Sequence, residues 1–102
     1  MIIKLDKKFK KDIKRDKNSG KFNDNDFNEL KLVMTNLAGD IVLDKKYLTH
    51  KLVGNWLGYQ ECHLKSNWLL IYKASKNQIN FADLARTNNY LKNIKILKYQ
   101  NG

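Results

Sequence analysis

Apolar residues recur along this chain with two different periods, and the change between them marks its architecture. "MIIKL" opens with β-branched residues and predicts a short first strand. Asp6 follows as an N-cap. Leu5, Phe9 and Ile13 then recur at helical spacing, while Lys7, Lys8, Lys10, Lys11, Lys14, Arg15 and Lys17 occupy the other faces. The spacing predicts a short amphipathic helix, apolar on one stripe and basic elsewhere, closed by "DKNSGK". A second helix is expected from Asn23, whose side chain can cap free backbone amides, with Phe22 and Phe27 packing as a hydrophobic staple. Phe27, Leu30, Val33, Met34 and Leu37 form its apolar stripe, and Gly39 is a natural stop. Two helices this close in sequence should form an antiparallel pair.

From Ile41 to Asn55 the periodicity fades into a long loop with turns. The pattern then changes to period two. "WLGYQECHL" reads as a strand and "KSN" as a turn. "WLLIYKA" is a second strand, nearly all apolar and therefore central or covered on both faces. "SKNQ" turns the chain into a third strand, "INFADLART". In "NNYLKNIKILKYQNG", the positions Leu91, Ile94, Ile96 and Leu97 fit a short helix better than a strand. The order β-α-α-β-β-β predicts one α+β domain over residues 1–102. A small antiparallel sheet, mixed at the N-terminal strand, would pack against an N-terminal helical hairpin.

Charge adds a partner class to this outline. Twenty Lys and Arg against ten Asp and Glu give a formal charge of +10. A polyanion relieves such self-repulsion, and counterion release favours nucleic acid; an acidic protein is the other way to cover it. The bland alternative is that Lys is merely abundant in a chain rich in Lys, Asn and Ile. One cysteine, Cys62, cannot form an internal disulfide. "MIIKLDKKFKK" lacks the apolar core of a secretory signal, and no run reaches a membrane span, so a cytoplasmic protein is expected.

The chemistry concentrates in residues 47–73, "YLTHKLVGNWLGYQECHLKSNWLLIYK", which hold both histidines, both tryptophans and the cysteine. On a strand, Leu57, Tyr59, Glu61 and His63 share one face; Trp56, Gly58, Gln60, Cys62 and Leu64 share the other. His50 lies in the preceding loop, Trp68 begins the next strand, and Arg86 ends the third. RNA cleavage through an internal 2′-hydroxyl needs a base, an acid, a cation for the phosphate and an aromatic face for the base. Two imidazoles, an Arg fork and an aromatic ring supply these. Each residue has an ordinary reading as well: satisfied histidines, core tryptophans, a solvated strand-end arginine. Two histidines and one cysteine are too few for a metal site, and Cys62 on the opposite face from His63 disfavours a Cys–His nucleophile. Neither a phosphate-cradling glycine motif nor a paired-carboxylate signature is present.

"FKKDIKR" at 9–15, "HKLVGNWLGYQECHLKSNWLLIYK" at 50–73 and "RT" at 86–87 together resemble the YafQ-like branch of the RelE/ParE toxin superfamily. That resemblance implies a microbial-RNase-like RelE fold. It further implies the toxin of a type II toxin–antitoxin pair, an mRNA interferase that cuts messenger RNA on the ribosome without a metal or other cofactor. It implies a small acidic cognate antitoxin as partner, a toxin monomeric alone and hetero-oligomeric with antitoxin, and no membrane. By position, His50 and His63 match histidines acting in proton transfer or phosphate contact, Trp68 the aromatic beside the site, and Arg86 a phosphate-binding arginine. Asn67 stands where the branch usually has Asp. Tyr90 stands close to where it usually has His, and would replace it as a catalytic group. Lys51, Asn67, Trp68 and the helix residues Lys10, Lys11, Lys14 and Arg15 would contact RNA. Asn67 and Tyr90 are also what a catalytically weakened member, binding RNA or antitoxin as a regulator, would carry. A gyrase-poisoning relative of the ParE type has no use for two positioned imidazoles.

Overall fold

The computed structural model describes residues 1–86. Tyr90 and the expected C-terminal helix lie outside the described residues. Strand β1 spans Ile2–Leu5, helix α1 Lys7–Ser19, helix α2 Asp24–Ala38, β2 His50–Lys51, β3 Gln60–Lys65, β4 Trp68–Ala74 and β5 Gln78–Ala85. Single 3₁₀ turns form at Lys45–Tyr47 and Gly54–Trp56. The strands make one sheet in the order β1-β5-β4-β3-β2. β1 runs parallel to β5, and every other pairing is antiparallel. Two helices on a five-stranded mixed sheet is the α+β arrangement expected.

The helices end as their sequences dictate. Gly20, at φ 72°, caps α1 in the left-handed region that only glycine enters freely. At α2, Asn23 Oδ1 accepts from the Asp26 amide and Asp26 Oδ2 accepts from the Asn23 amide, a complete capping box. Phe22 and Phe27 both close on Trp68, the first stacked at 4.3 Å and the second edge-on at 5.3 Å between ring centroids. The staple therefore anchors the helix entry to the sheet.

The main core lies between the helices and the sheet, built from Phe9, Leu30, Val33, Cys62, Leu64, Trp68, Leu70, Tyr72, Ile79, Phe81 and Leu84. β4 occupies the middle of the sheet and is buried from Trp68 to Tyr72, as its unbroken apolar run requires. Its alternate residues Leu69 and Ile71 face the other side. There they join Leu52 and Ala85 in a second, smaller cluster with Trp56 and Tyr59 packed against it. A register shift between Ile71 and Tyr72, opposite Asp83 and Phe81, marks a bulge in β5. It shifts the alternation by one residue, so that Ile79, Phe81 and Leu84 all reach the main core.

Two expectations are corrected. The strand expected from Trp56 begins at Gln60, because Gly58 at φ 92° and the 3₁₀ turn at Gly54–Trp56 hold the preceding residues out of the ladder. The segment expected to be a loop contains β2, which pairs His50 with Glu61 and Lys51 with Gln60. No helix among the described residues is long and apolar enough to cross a membrane.

β1 is shorter than its neighbour, and its pairing ends where the Asp6 amide donates to the Phe81 carbonyl. Beyond that point α1 side chains finish the edge. Asp12 Oδ2 accepts from the Leu84 amide at 3.0 Å, and Arg15 Nη2 donates to the Leu84 carbonyl at 2.8 Å. A carboxylate and a guanidinium thereby satisfy backbone groups that a longer strand would otherwise pair.

Candidate active site

The side of the sheet away from the helices carries the histidines. β3 alternation places Glu61 and His63 there, while Cys62 and Leu64 enter the main core. β2 sets His50 directly across from Glu61. The two imidazole rings lie 6.0 Å apart between centroids and nearly perpendicular, at 82°. His63 Nε2 is 3.6 Å from Glu61 Oε1. Exposure falls from His50, which is exposed, through His63, which is half-buried, to Glu61 at 0%. Leu52, whose amide donates to the Tyr59 carbonyl, folds the intervening segment back beside this cluster.

Glu61 completes this cluster, and sequence reasoning did not single it out. Its side of the strand was legible from period two. Its encounter with His50 was not, because two residues of β2 carry no periodicity.

Arg86 and Trp68 do not join the histidines. Arg86 donates to Asp16 Oδ1 from Nη2 at 2.8 Å and from Nε at 3.2 Å, and its guanidinium lies 5.8 Å from the Phe22 ring centroid. Ala85 faces the outer cluster with Leu69, so the next residue, Arg86, turns to the helix-covered side. Trp68 is fully buried, and its indole N–H donates to Asp16 Oδ2 at 2.8 Å. A ring with no exposed face cannot stack a nucleotide base, so its expected RNA contact is corrected to a core role. Arg15 is likewise engaged, with Asp16, Asp12 and the Leu84 carbonyl. It belongs to the fold more than to a free basic face. Lys10, Lys11, Lys14, Lys51 and Asn67 are exposed as expected.

Asp16 is the centre of this second polar group. Burial pushes its pKa up, but the bonds from Arg15, Trp68 and Arg86 outweigh burial and hold it below the ordinary carboxylate value. Asp12 and Asp83 form a neighbouring pair bridged by Lys8, at 2.6 and 3.1 Å. Burial and the hydrogen bond with Asp12 push Asp83 up to about 6. Burial also pushes Asp12 up, but bonds from Asp83, Lys8 and the Leu84 amide overcome it, leaving this carboxyl below its ordinary value. Burial also raises the Cys62 thiol to about 12, which leaves no thiolate at neutral pH. The expectation against a cysteine nucleophile agrees with that value.

The geometry now meets what is known of other chains. A family model described as "Bacterial toxin of type II toxin-antitoxin system, YafQ" matches residues 1–99. The mRNA interferase toxin YafQ of Escherichia coli K12 is 39% identical over 57 residues, 55% of this chain and 62% of that protein. The match to this relative thus spans less than two thirds of its length. The same-named toxin of strain B / BL21-DE3 is 34% identical over 80 residues, 78% of this chain and 83% of that one. Among solved structures, YafQ in the E. coli DinJ–YafQ complex superposes with a TM-score of 0.76 at 30% identity, covering 86% of this chain and 94% of that chain. A metal-bound toxin from Helicobacter pylori gives a TM-score of 0.77 at 34% identity, covering 88% and 98%. The chain belongs to the YafQ family of bacterial toxins of type II toxin–antitoxin systems.

Proposed function

We propose that this chain is an endoribonuclease toxin that cuts messenger RNA on the ribosome by metal-independent acid–base catalysis. The observation that carries the reading is the imidazole pair at 6.0 Å with a carboxylate 3.6 Å from one ring. One ring takes the proton of the attacking 2′-hydroxyl, and the other returns a proton to the departing 5′-oxygen. Glu61 steadies the positive charge that arises on His63 whenever that ring holds the transferred proton, as a carboxylate does behind any catalytic imidazole. The phosphate charge falls to exposed lysines, of which Lys51 adjoins His50 on β2. Lys10, Lys11 and Lys14 give α1 an exposed basic face for the ribosomal RNA backbone. Tyr90 and Asn67 are proposed to position the nucleotide.

A small acidic antitoxin is the proposed cellular partner, by analogy with the DinJ–YafQ complex of E. coli. The net charge of +10 supplies the electrostatic complement. The toxin acts in the cytoplasm, as a monomer when free and within a hetero-oligomer when neutralised.

Primer extension on a message after induced expression tests the reading. Wild type is expected to give defined in-frame cuts. His63→Ala is expected to lose about 10²-fold or more of the cleavage while the domain stays folded. Unchanged growth arrest in that variant sinks the assignment. Absence of cuts in wild type, together with tight antitoxin binding, makes the chain the non-catalytic regulator.

A further inference from the structure

Two histidines alone cannot define a metal site, but the fold supplies a third donor. Among the described residues, one set of three His, Cys, Asp or Glu side chains converges: His50, Glu61 and His63, with a donor atom from each within 4.8 Å of the others. We propose that these three residues form a binding site for a borderline first-row dication, represented by Zn(II). We further propose that its occupation blocks the acid–base chemistry of the same rings; this second part rests on the nuclease reading given above.

The donor set decides the class of ion. Two imidazole nitrogens and one carboxylate oxygen suit Zn(II) and its neighbours, whereas Mg(II) and Ca(II) prefer all-oxygen shells. Metal–ligand bonds of about 2.0–2.2 Å put donors around a tetrahedral ion roughly 3.3–3.6 Å apart. His63 Nε2 and Glu61 Oε1 already stand 3.6 Å apart. The remaining contraction falls on His50, which is exposed and has room to turn. Three protein donors leave a fourth position for water.

The backbone makes the site rigid. Glu61 and His63 are alternate residues of one strand, on one face. His50 is register-paired with Glu61 on the adjacent strand. A dication beside this buried carboxylate is attracted strongly, because solvent screens charge little there. The gradient from buried Glu61 to exposed His50 gives the ion a route from solvent.

Binding and catalysis compete for the same atoms. A ring nitrogen coordinated to metal has no lone pair for a proton. Zn(II) should therefore act as a reversible inhibitor of cleavage.

The test uses the full chain without any histidine tag, at pH 7.5, titrated with Zn(II) by calorimetry. Displacement of Co(II), whose visible absorption reports tetrahedral geometry, gives an independent readout. Wild type is expected to bind one equivalent with Kd on the order of 10 µM or tighter, and to gain thermal stability with added Zn(II). H50Q and H63Q are each expected to weaken that binding by more than about tenfold while keeping the wild-type circular dichroism spectrum. Failure of wild type to bind one equivalent at 100 µM Zn(II), an amount roughly tenfold above the expected Kd, overturns the site. So does undiminished binding in H50Q and H63Q, which would place the ion elsewhere. Cleavage by wild type should stop with one equivalent of Zn(II) and return with EDTA. Cleavage that continues with the site filled overturns the blocking role. A chain that binds Zn(II) but never cuts RNA refutes the nuclease reading and leaves the metal site standing.

Discussion

Among the described residues, two carboxylates have no solvent exposure, Asp16 on the helix-covered side of the sheet and Glu61 on the other. Asp16 is saturated. Arg15, Arg86 and the Trp68 indole all donate to it, at 2.8 to 3.2 Å. Glu61 instead faces imidazole rings, with His63 at 3.6 Å and His50 across the β2–β3 ladder. Permanent cations and an indole N–H fix a charge for good. Imidazoles, by contrast, can take up or give up a proton, and two of them stand beside Glu61. The first arrangement ties α1, β4 and the end of β5 into one body. The second sets a buried carboxylate beside an exposed and a half-buried imidazole. The difference separates a carboxylate that holds the fold from one proposed to serve chemistry.

Matched amide substitutions give the largest test of that contrast. Asp16→Asn removes the charge that Arg15, Arg86 and the Trp68 indole share and puts an amide at a position with no solvent exposure. The expected cost is about 3–5 kcal/mol, read from urea unfolding. Glu61→Gln should cost less than that, because the imidazoles beside it carry no obligatory charge. It should nonetheless impair RNA cleavage strongly. Equal destabilisation by the two substitutions would erase the distinction between the two sides.

Trp68 provides a smaller and sharper test. Trp68→Phe keeps an aromatic ring between Phe22 and Phe27 but removes the N–H that Asp16 accepts. A loss of about 1–2 kcal/mol is expected, since one donor to a charged acceptor disappears. Cleavage by the folded fraction should be unchanged. A large fall in cleavage with little loss of stability would return Trp68 to the nucleotide-stacking role that the sequence suggested.

The same contrast explains how much was legible in advance. The helices, their stops and the central strand follow from apolar spacing and from caps, which are local. The Asn23–Asp26 box and the Gly20 stop need only neighbouring residues, and both formed. The resemblance in residues 50–73 pointed to the two histidines, which do meet. Non-local partners were hidden. In α1 the positions Phe9, Asp12 and Asp16 all lie on the buried stripe. Two acids on an apolar stripe are a signal that something opposite must pair with them, and the basic residues of the other faces drew attention away. Arg86 and Trp68 both donate to Asp16. The side of the sheet on which the Arg86 guanidinium emerges depended on the β5 bulge, and strict period-two counting cannot see a one-residue shift. β2 was invisible because a two-residue strand has no period at all.

The smallest expected effect belongs to the other acidic pair on the helix side, and it depends on pH. Asp83 in the folded chain is pushed up to about 6 from its ordinary 3.8, by burial first and then by its hydrogen bond to Asp12. The folded state therefore holds this proton more tightly than the unfolded state does. Its stabilising contribution is complete below about pH 4 and is lost as pH rises through about 6. Asp12 is shifted the other way, so its contribution is present above 3.8 and fades only as pH falls below that value. The two windows do not overlap, so of this pair only Asp83 contributes a pH dependence between about pH 4 and pH 6. Asp83→Asn fixes the protonated form's behaviour, because an amide N–H can donate to Asp12 at any pH. The variant should be more stable than wild type at pH 7.5, by on the order of 1 kcal/mol, and the difference should close by pH 4.5. Every other ionisable group is common to both proteins and cancels in the comparison. Thermal unfolding at the two pH values reads the effect directly. A wild-type-to-variant gap that stays constant with pH would mean that Asp83 is ionised throughout, and that Lys8 rather than a shared proton holds the pair together.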